Sequence, residues 1–253
     1  MKKMIVALLL VFFPFAEFSW GDVCGDLTDD VIKKQLDVEE FRVVSKREVN
    51  GVCELIITIN SRLIPFYGNR KYLVSGEMYV NGVSLTRNAI YNIIKTRIVS
   101  SLGEVNRCVV FSYNPPEIRM DTTLYMFTDP LCPFCNKISG EIRELSDRLG
   151  FKVKVLLLNV HGERGRVKCI EAICRNSADP SFNFIEYNRP GWKKKSAETG
   201  FLCKEGGNLL DRIDLLSEKI GIDSVPFFFV DDGRHVSGAS IEEVRLLFND
   251  KRK

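Results

Sequence analysis

A Cys-Pro-Phe-Cys motif, Cys132 to Cys135, most constrains the fold of this chain, because it lies where an apolar β-rich segment meets a helical pattern. Residues 122–128 are the β-rich segment. Residues 132–149 carry apolar side chains at helical spacing and end at Gly150. Backbone N–H groups at the start of a helix stabilise an anion, so a Cys placed there has its thiolate favoured. Pro133 suits the first helical turn, where its missing N–H is not needed. The pattern predicts an α/β unit that carries a reactive dithiol.

The two thiols are predicted to have different roles. Cys132, at the helix start, is predicted to be the exposed nucleophile, and Cys135, one turn further in, the resolving thiol. Thiol–disulfide exchange needs both roles, because a mixed disulfide must form and then be broken. The alternatives are half of a zinc site, although no second pair has this spacing, and a structural disulfide, which would close a very small loop. We therefore expect no metal and no cofactor besides the dithiol itself.

Residues 1–21 have the pattern of a cleavable secretory signal. Lys2 and Lys3 precede a short apolar run, and Ser19 and Gly21 are small residues at the two positions that a signal peptidase inspects. The run is shorter than the apolar length that a membrane-spanning helix needs. An uncleaved N-terminal anchor is the alternative interpretation. An exported chain meets an oxidising environment, where paired Cys are expected, and this sequence has eight Cys.

The composition argues against several other classes of protein. Apolar residues make up 45% of the chain and charged residues 27%, which are ordinary globular values. The 36 basic residues nearly balance the 33 acidic ones, so nothing in the charge indicates a nucleic-acid partner. With two His in the chain, a His-rich metal site is not expected.

Residues 22–83 are predicted to form a small α+β domain. A short helix capped by Thr28 precedes several strand-like runs, and Asn50-Gly51 predicts a tight hairpin turn. A domain of this size has a thin core. It is expected to gain stability from a Cys24–Cys53 disulfide, from a partner subunit, or from both.

The rest of the chain is predicted to be a linker followed by a second domain. Residues 84–115 are the linker, with a helix over residues 84–102 that Gly103 would cap. This helix is either a spacer or packed into one of the domains. From Asp121 the chain alternates strands and helices around a polar insert, residues 175–208, which predicts a three-layer α/β domain, assigned to residues 116–253.

The dipeptide Val225-Pro226 precedes the apolar run Phe227–Val230. A Pro at the start of a strand is often an ordinary edge feature. In a protein with a Cys-x-x-Cys motif, a cis proline facing the dithiol is the alternative that we favour, although cis bonds are uncommon. Such a bond would expose the preceding backbone to an extended substrate. Val225 and Pro226 are therefore candidate substrate-binding residues.

Other polar residues near these motifs are given ordinary roles. Asp129 is interpreted as a turn residue that could modulate the nearby thiol. His161 and His235 are isolated in the sequence, which favours surface or loop positions. The run Lys193–Lys195 beside Trp192 is interpreted as a solvated part of the insert.

Two segments resemble the DsbC/DsbG family of periplasmic disulfide isomerases. Residues 127–137, Phe-Thr-Asp-Pro-Leu-Cys-Pro-Phe-Cys-Asn-Lys, resemble its active-site segment. Residues 71–79, Lys-Tyr-Leu-Val-Ser-Gly-Glu-Met-Tyr, resemble its dimerisation domain. The resemblance covers nearly all of residues 25–250.

The resemblance implies a homodimer with a cystatin-like N-terminal dimerisation domain, a helical arm, and a C-terminal thioredoxin fold with a helical insertion. It implies a periplasmic thiol:disulfide isomerase/reductase that acts on misfolded exported proteins with non-native disulfides. A membrane reductase of the DsbD type would keep Cys132 and Cys135 reduced. It also implies a structural disulfide in the catalytic domain, at Cys174 with Cys203 as its partner.

Some residues depart from the isomerase pattern. The dipeptide Pro133-Phe134 is closer to the DsbG form than to the Gly-Tyr of DsbC, and Val225 stands where these isomerases usually have Thr and the oxidase DsbA has Val. A dithiol oxidase is therefore an alternative function, and a holdase chaperone with an apolar dimer cleft is another. Cys24, Cys53, Cys108 and Cys169 are additional to the cysteines of the isomerase pattern. Cys108 and Cys169 either pair with each other or remain free.

Overall fold

The computed structural model of this chain describes residues 22–60, 62–195 and 201–249, so the predicted signal, residues 1–21, lies outside the described residues. In chain order, the helices and strands are α1 (Asp29–Leu36), β1 (Arg42–Val49), β2 (Val52–Ile59), β3 (Arg62–Asn69), β4 (Tyr72–Ser75), β5 (Tyr79–Val80), β6 (Val83–Ser84), α2 (Leu85–Arg107), β7 (Phe111–Tyr113), β8 (Thr123–Thr128), α3 (Pro133–Leu149), β9 (Lys152–Leu157), α4 (Gly162–Ala178), α5 (Phe184–Tyr187), α6 (Pro190–Lys194), α7 (Lys204–Ile220), β10 (Phe227–Val230), β11 (His235–Ser237) and α8 (Ile241–Leu246). Among the helices described, none is long and apolar enough to cross a membrane.

The N-terminal unit, α1 to β6, contains an antiparallel meander of four strands in the order β1-β2-β3-β4. Asn50 and Gly51 join β1 to β2 with positive φ values of 49° and 80°, as the predicted tight turn requires. Thr28 caps α1 by accepting a hydrogen bond from the N–H of Val31. The buried core between α1 and the sheet is small and consists of Ile32, Leu55, Ile57 and Phe66.

Helix α2 is longer than the sequence predicts and packs into the C-terminal unit, α2 to α8. Gly103 was expected to end the helix, but α2 continues to Arg107. A glycine inside a helix costs about 1 kcal/mol relative to alanine. Packing offsets this cost, because Ile98 and Val105 are completely buried in the core of the C-terminal unit. The helix is therefore not a free spacer in this structure.

The face of α2 that meets β11 also accounts for the burial of His235. Tyr91 on α2 stacks on the ring of His235, with 4.3 Å between the ring centroids. His235 is half-buried in this contact, so the surface or loop position expected for it is wrong.

The C-terminal unit is built on a five-stranded sheet in the order β11-β10-β8-β9-β7. Strands β8 and β9 are parallel, whereas the other neighbouring pairs are antiparallel. The edge strand β7 lies within the segment that the sequence assigned to the linker, and its three residues are too few to show a strand periodicity. Helix α7 contacts both α2 and α4, and α3 contacts α8. This topology is that of a thioredoxin-like fold.

The polar insert lies between α4 and α7. It contains the short helices α5 and α6, and it contributes Phe184 and Tyr187 to the buried core of the C-terminal unit. The insert therefore packs onto the thioredoxin-like sheet and helices instead of forming a separate surface loop.

Candidate active site

The dithiol motif lies at the junction of the central strand β8 and helix α3. Every residue of β8 is buried, and the strand is held by β9 on one side and β10 on the other. Cys132 is the N-cap of α3, and its Sγ accepts a hydrogen bond from the N–H of Cys135 at 3.3 Å. Pro133 is the first helical residue, as predicted. The sulfur of Cys132 therefore lies at the positive end of the helix dipole.

The loop before the motif is held by Asp129, which is completely buried. One carboxylate oxygen accepts the N–H of Leu131 at 2.7 Å. The other accepts the N–H of Val160 at 2.8 Å and lies 2.9 Å from Nδ1 of His161. Asp129 is thus a turn residue, as interpreted, but it also ties the β8–α3 loop to the β9–α4 loop.

His161 was not expected at this site. The parallel pairing of β8 and β9 was the available signal, because the carboxyl ends of parallel neighbours meet at one edge of the sheet. Residues 129 and 161 follow those two ends.

Both thiols of the motif are free in this structure, and both are shielded from solvent. Cys132 is 3% exposed, so the expectation that it is an exposed nucleophile is wrong for this conformation. The reason is geometric, because its Sγ turns inward to cap α3 and also donates to the carbonyl of Val225 across 3.9 Å. The exposed residue of the motif is Phe134, at 65%.

Cys135 lies one turn further into α3 than Cys132. It is completely buried on α3. Burial, reinforced by the hydrogen bond to Cys132, raises the pKa of Cys135 to about 12. At neutral pH this thiol therefore keeps its proton and cannot act as the attacking thiolate. The raised pKa suits Cys135 to the resolving role.

The loop before β10 faces the dithiol. The Val225–Pro226 peptide bond is cis. Because β10 pairs directly with β8, this loop lies beside the β8–α3 junction, and the Val225 carbonyl reaches Cys132. The structure therefore brings the Val225–Pro226 peptide to Cys132.

The burial of Lys193 is the largest difference between the structure and the interpretation of the sequence. It was interpreted as solvated, but it is 7% exposed. Its Nζ donates to the side-chain oxygens of Asn136 at 2.7 Å and Asn188 at 2.9 Å, and it lies 4.3 Å from the centroid of the Tyr187 ring. Burial lowers the pKa of Lys193 to about 8, and negative charge at the active-site dithiol opposes this shift.

A buried ion cluster on α4 fixes the insert beside the active-site helix. The Glu171 carboxylate pairs with Lys168 at 2.8 Å and with Arg175 at 2.8 Å, and it accepts the indole N–H of Trp192 at 3.3 Å. The Lys168 ammonium also lies 4.0 Å from the centroid of the Trp192 ring. Since Trp192 directly precedes Lys193, this cluster sets where the Lys193 ammonium lies.

A groove of about 450 Å³ runs beside the dithiol between α3 and α5. Basic side chains of Arg143 and Arg189 and apolar side chains of Phe184 and Ile185 are among its lining residues. The groove begins at Asn136, directly after the second cysteine.

The other cysteines lie in disulfides or in the core. Disulfides join Cys24 to Cys53 and Cys174 to Cys203. Cys108 and Cys169 are free and buried, and burial raises the pKa of both thiols. They are therefore unreactive core residues in this structure. In the described residues, no group of three or more His, Cys, Asp or Glu side chains is placed to hold a metal ion.

Solved structures with a similar fold agree with this topology. A linker-deletion mutant of Proteus mirabilis ScsC aligns with 64% of this chain and 84% of its own, at 16% sequence identity and a TM-score of 0.54. The catalytic domain of Proteus mirabilis ScsC aligns with 60% of this chain and 95% of its own, at 16% identity and a TM-score of 0.52. Helicobacter pylori DsbG aligns with 79% of this chain and 97% of its own at 14% identity, but a TM-score of 0.42 is too low to support the two-domain arrangement. No protein-family model matches the sequence, and no curated protein matches it. The chain therefore has a thioredoxin-like fold, with its Cys-Pro-Phe-Cys dithiol at the start of α3.

Proposed function

We propose that this protein is a periplasmic thiol–disulfide isomerase/reductase that rearranges non-native disulfides in exported proteins. The observation that carries the proposal is the asymmetry of the dithiol. Cys132 caps a helix opposite the Val225 carbonyl, whereas Cys135 is buried and protonated. Thiol–disulfide exchange requires one attacking and one resolving thiol, and this arrangement supplies both.

The reaction begins when the Cys132 thiolate attacks one sulfur of a substrate disulfide. A bond forms between Cys132 Sγ and that sulfur, the substrate S–S bond breaks, and the other substrate sulfur leaves as a thiolate with the electron pair. If that thiolate attacks a different substrate sulfur, the disulfide is rearranged and Cys132 is released when a substrate thiolate displaces it. The enzyme is then unchanged overall.

Cys135 provides the second exit from the mixed disulfide. It gives its proton to the departing substrate thiolate and attacks Cys132 Sγ, which forms the Cys132–Cys135 disulfide and frees the second substrate sulfur. The substrate gains two electrons and the enzyme loses two. A membrane reductase of the DsbD type would return those two electrons and restore the dithiol.

Substrate binding is proposed to use the surfaces next to Cys132. The backbone before Pro226 is proposed to pair with an extended substrate segment, as in strand addition. Phe134 offers an exposed apolar contact, and the groove between α3 and α5 offers room for a side chain. These contacts recognise an unfolded segment with an accessible disulfide and no particular sequence.

We propose that the N-terminal unit has a cystatin-like fold and carries the dimer interface. Strand β4 is at the edge of the four-stranded sheet, and its Tyr72 and Val74 are 51% and 59% exposed. An exposed apolar edge strand is a ready template for pairing with another chain. A second copy of this unit would cover that edge and enlarge a thin core.

A dithiol oxidase is the second candidate, because Val225 precedes the cis proline and Pro133-Phe134 separates the two cysteines. Recovery of activity from ribonuclease with scrambled disulfides, in a glutathione buffer, tests both candidates. We expect the wild type and Cys108→Ala, which removes a thiol outside the site, to restore activity. Cys132→Ser should fall to the uncatalysed rate. Full recovery with Cys132→Ser would contradict the mechanism, whereas no wild-type recovery beside rapid oxidation of reduced ribonuclease would identify an oxidase.

A further inference from the structure

Lys193 is a buried cation that the exchange chemistry above does not use. Its ammonium has three neutral partners, the side-chain oxygens of Asn136 and Asn188 and the ring of Tyr187. Within residues 22–60, 62–195 and 201–249, no carboxylate forms an ion pair with it. A buried ammonium without an anion is costly, because neutral dipoles replace only part of its hydration.

The missing anion is supplied by the dithiol when it ionises. Asn136, which holds the ammonium, directly follows Cys135 on α3. Negative charge on the active-site cysteines favours the charged form of Lys193. Because Cys135 keeps its proton at neutral pH, Cys132 is the thiol that supplies this charge. The redox centre therefore carries, in its reduced form, the negative charge that this buried cation otherwise lacks.

The other titratable groups around this site do not supply that anion. Burial raises the pKa of Tyr187 on α5 and of Cys169 on α4, so both stay neutral near pH 7. The Asp129 carboxylate is occupied by the N–H groups of Leu131 and Val160 and by the ring of His161.

We propose that Lys193 is a positioning residue by which the helical insert sets the redox poise of the Cys132–Cys135 dithiol. The ammonium stabilises a thiolate in the reduced form. The disulfide is neutral and gains nothing from it. Lys193 therefore shifts the equilibrium toward the dithiol and makes the disulfide form a stronger oxidant. The ion cluster of Glu171 holds Trp192, and through it Lys193, in place for this effect.

The proposal rests on the proposed exchange function, and the reference reaction is exchange with glutathione. In that reaction the enzyme disulfide and two glutathione thiols give the enzyme dithiol and one glutathione disulfide, with two electrons transferred to the enzyme. The equilibrium constant is read from the fraction of alkylated cysteine across a series of glutathione ratios.

The variants compare the removal of a buried charge with the removal of an exposed one. Lys193→Met keeps the length of the side chain and removes the charge, Lys193→Arg keeps the charge, and Lys195→Met removes an exposed charge from the same insert. We expect Lys193→Met to shift the glutathione equilibrium about tenfold toward the disulfide, equivalent to about 30 mV. Lys193→Arg should recover most of this shift, and Lys195→Met should change it less than about twofold.

A second readout does not depend on turnover. The rate at which iodoacetamide alkylates Cys132 rises as its thiol ionises, so we expect the midpoint of this pH profile to move upward by about one pH unit in Lys193→Met. A purely structural role would lower the stability of the oxidised and reduced forms equally and leave both the equilibrium and the midpoint unchanged. Unchanged values in a folded Lys193→Met variant would overturn the proposal.

The wild-type protein tests the same coupling without any substitution. Because the interaction is reciprocal, the Lys193 side chain should titrate at a higher pH in the reduced protein than in the oxidised protein, as followed by the NMR shift of its Cε. Equal midpoints in the two forms would overturn the proposal, even if Lys193→Met failed to fold. Failure of the exchange function would look different. The wild type would then not equilibrate with glutathione, whereas the pH profile of alkylation and the NMR titration would still report on Lys193.

Discussion

The two disulfides of this chain have the same sequence separation, 29 residues, but they constrain regions with very different cores. Cys24–Cys53 joins the segment before α1 to β2 in the N-terminal unit, whose described buried core is four side chains beside the disulfide cluster. Cys174–Cys203 joins α4 to α7 in the C-terminal unit, whose core runs continuously through the five-stranded sheet and its helices. Loops of equal length have equal closure entropy, so in the chain-entropy model each disulfide contributes about 3–4 kcal/mol. The same contribution is a much larger share of the stability of the smaller unit.

Removal of the N-terminal disulfide should have the largest effect. The double substitution Cys24→Ala with Cys53→Ala is expected to cost about 3–4 kcal/mol and to unfold the four-stranded sheet, while the C-terminal unit stays folded. Amide hydrogen exchange checks this unit by unit. Fast exchange in β1 to β4 with protection kept in β8 and β9 is the expected pattern, and full protection of β1 to β4 would contradict the comparison.

Removal of the C-terminal disulfide should cost a similar free energy but leave its unit folded. The double substitution Cys174→Ala with Cys203→Ala is expected to lower the melting temperature of the C-terminal unit and to keep the β8–β9 pairing. Thermal unfolding followed by near-UV absorption of the aromatic core measures it. If this unit unfolded at 25 °C while the N-terminal variant stayed folded, the difference in core size would not be the deciding factor.

Within the smaller unit, two glycines separate a steric effect from a conformational one. A Cβ on Gly68 would lie 2.1 Å from the carbonyl oxygen of Tyr72, whereas a Cβ on Gly51, at φ 80°, would meet no atom within 4 Å. Gly68→Ala is therefore expected to cost more than about 1 kcal/mol, and Gly51→Ala about 1 kcal/mol from its positive φ alone. Urea unfolding of the two variants measures the difference, and equal midpoints would show that the β3–β4 hairpin relaxes around the added methyl.

The smallest effect concerns Asp214 on α7, in a cavity lined by Arg62 of the N-terminal unit. Burial raises the pKa of Asp214 to about 6, and among the residues that the structure describes, one of its carboxylate oxygens has no hydrogen-bond partner. Because the folded state binds this proton more tightly than the unfolded state, stability falls as the pH rises from about 4 to about 6.

Asp214→Asn removes that cost. It should gain less than about 1 kcal/mol at pH 7, because solvent screens a side chain that is a third exposed, and it should gain little at pH 4. Asp211→Asn, whose carboxylate pairs with Arg166 at 2.7 Å, is the control and should show no gain at pH 7. Equal gains for Asp214→Asn at both pH values would contradict the role of ionisation.

Local signals in the sequence predicted much of this molecule. The hairpin at Asn50-Gly51, the cap at Thr28 and the helix start at Cys132 each follow from a few neighbouring residues, because turn and cap chemistry is local. The strands of the N-terminal meander pair with their sequence neighbours, but the register shift between Val43 and Ser45 of β1 was not predicted.

Other features were set by contacts between distant residues. Strand β7 has three residues and is defined by its pairing with β9. Helix α2 continues past Gly103 because its Ile98 and Val105 are buried against apolar residues distant in the sequence. Lys193 is held by Asn136, more than fifty positions away. A run of three lysines predicts a solvated segment when only neighbouring residues are considered. The exposure of Cys132 was wrongly predicted because its sulfur turns inward toward Val225.

The central claim is that Cys132 attacks and Cys135 resolves. Trapping the mixed disulfide tests it most directly, by mixing each single Cys→Ser variant with an oxidised model peptide and identifying the linked cysteine by mass spectrometry. We predict that Cys135→Ser accumulates a peptide adduct at Cys132 and that Cys132→Ser forms none at pH 7, because the buried Cys135 keeps its proton. An adduct on Cys135 in the Cys132→Ser variant, formed as fast as that on Cys132, would contradict this account.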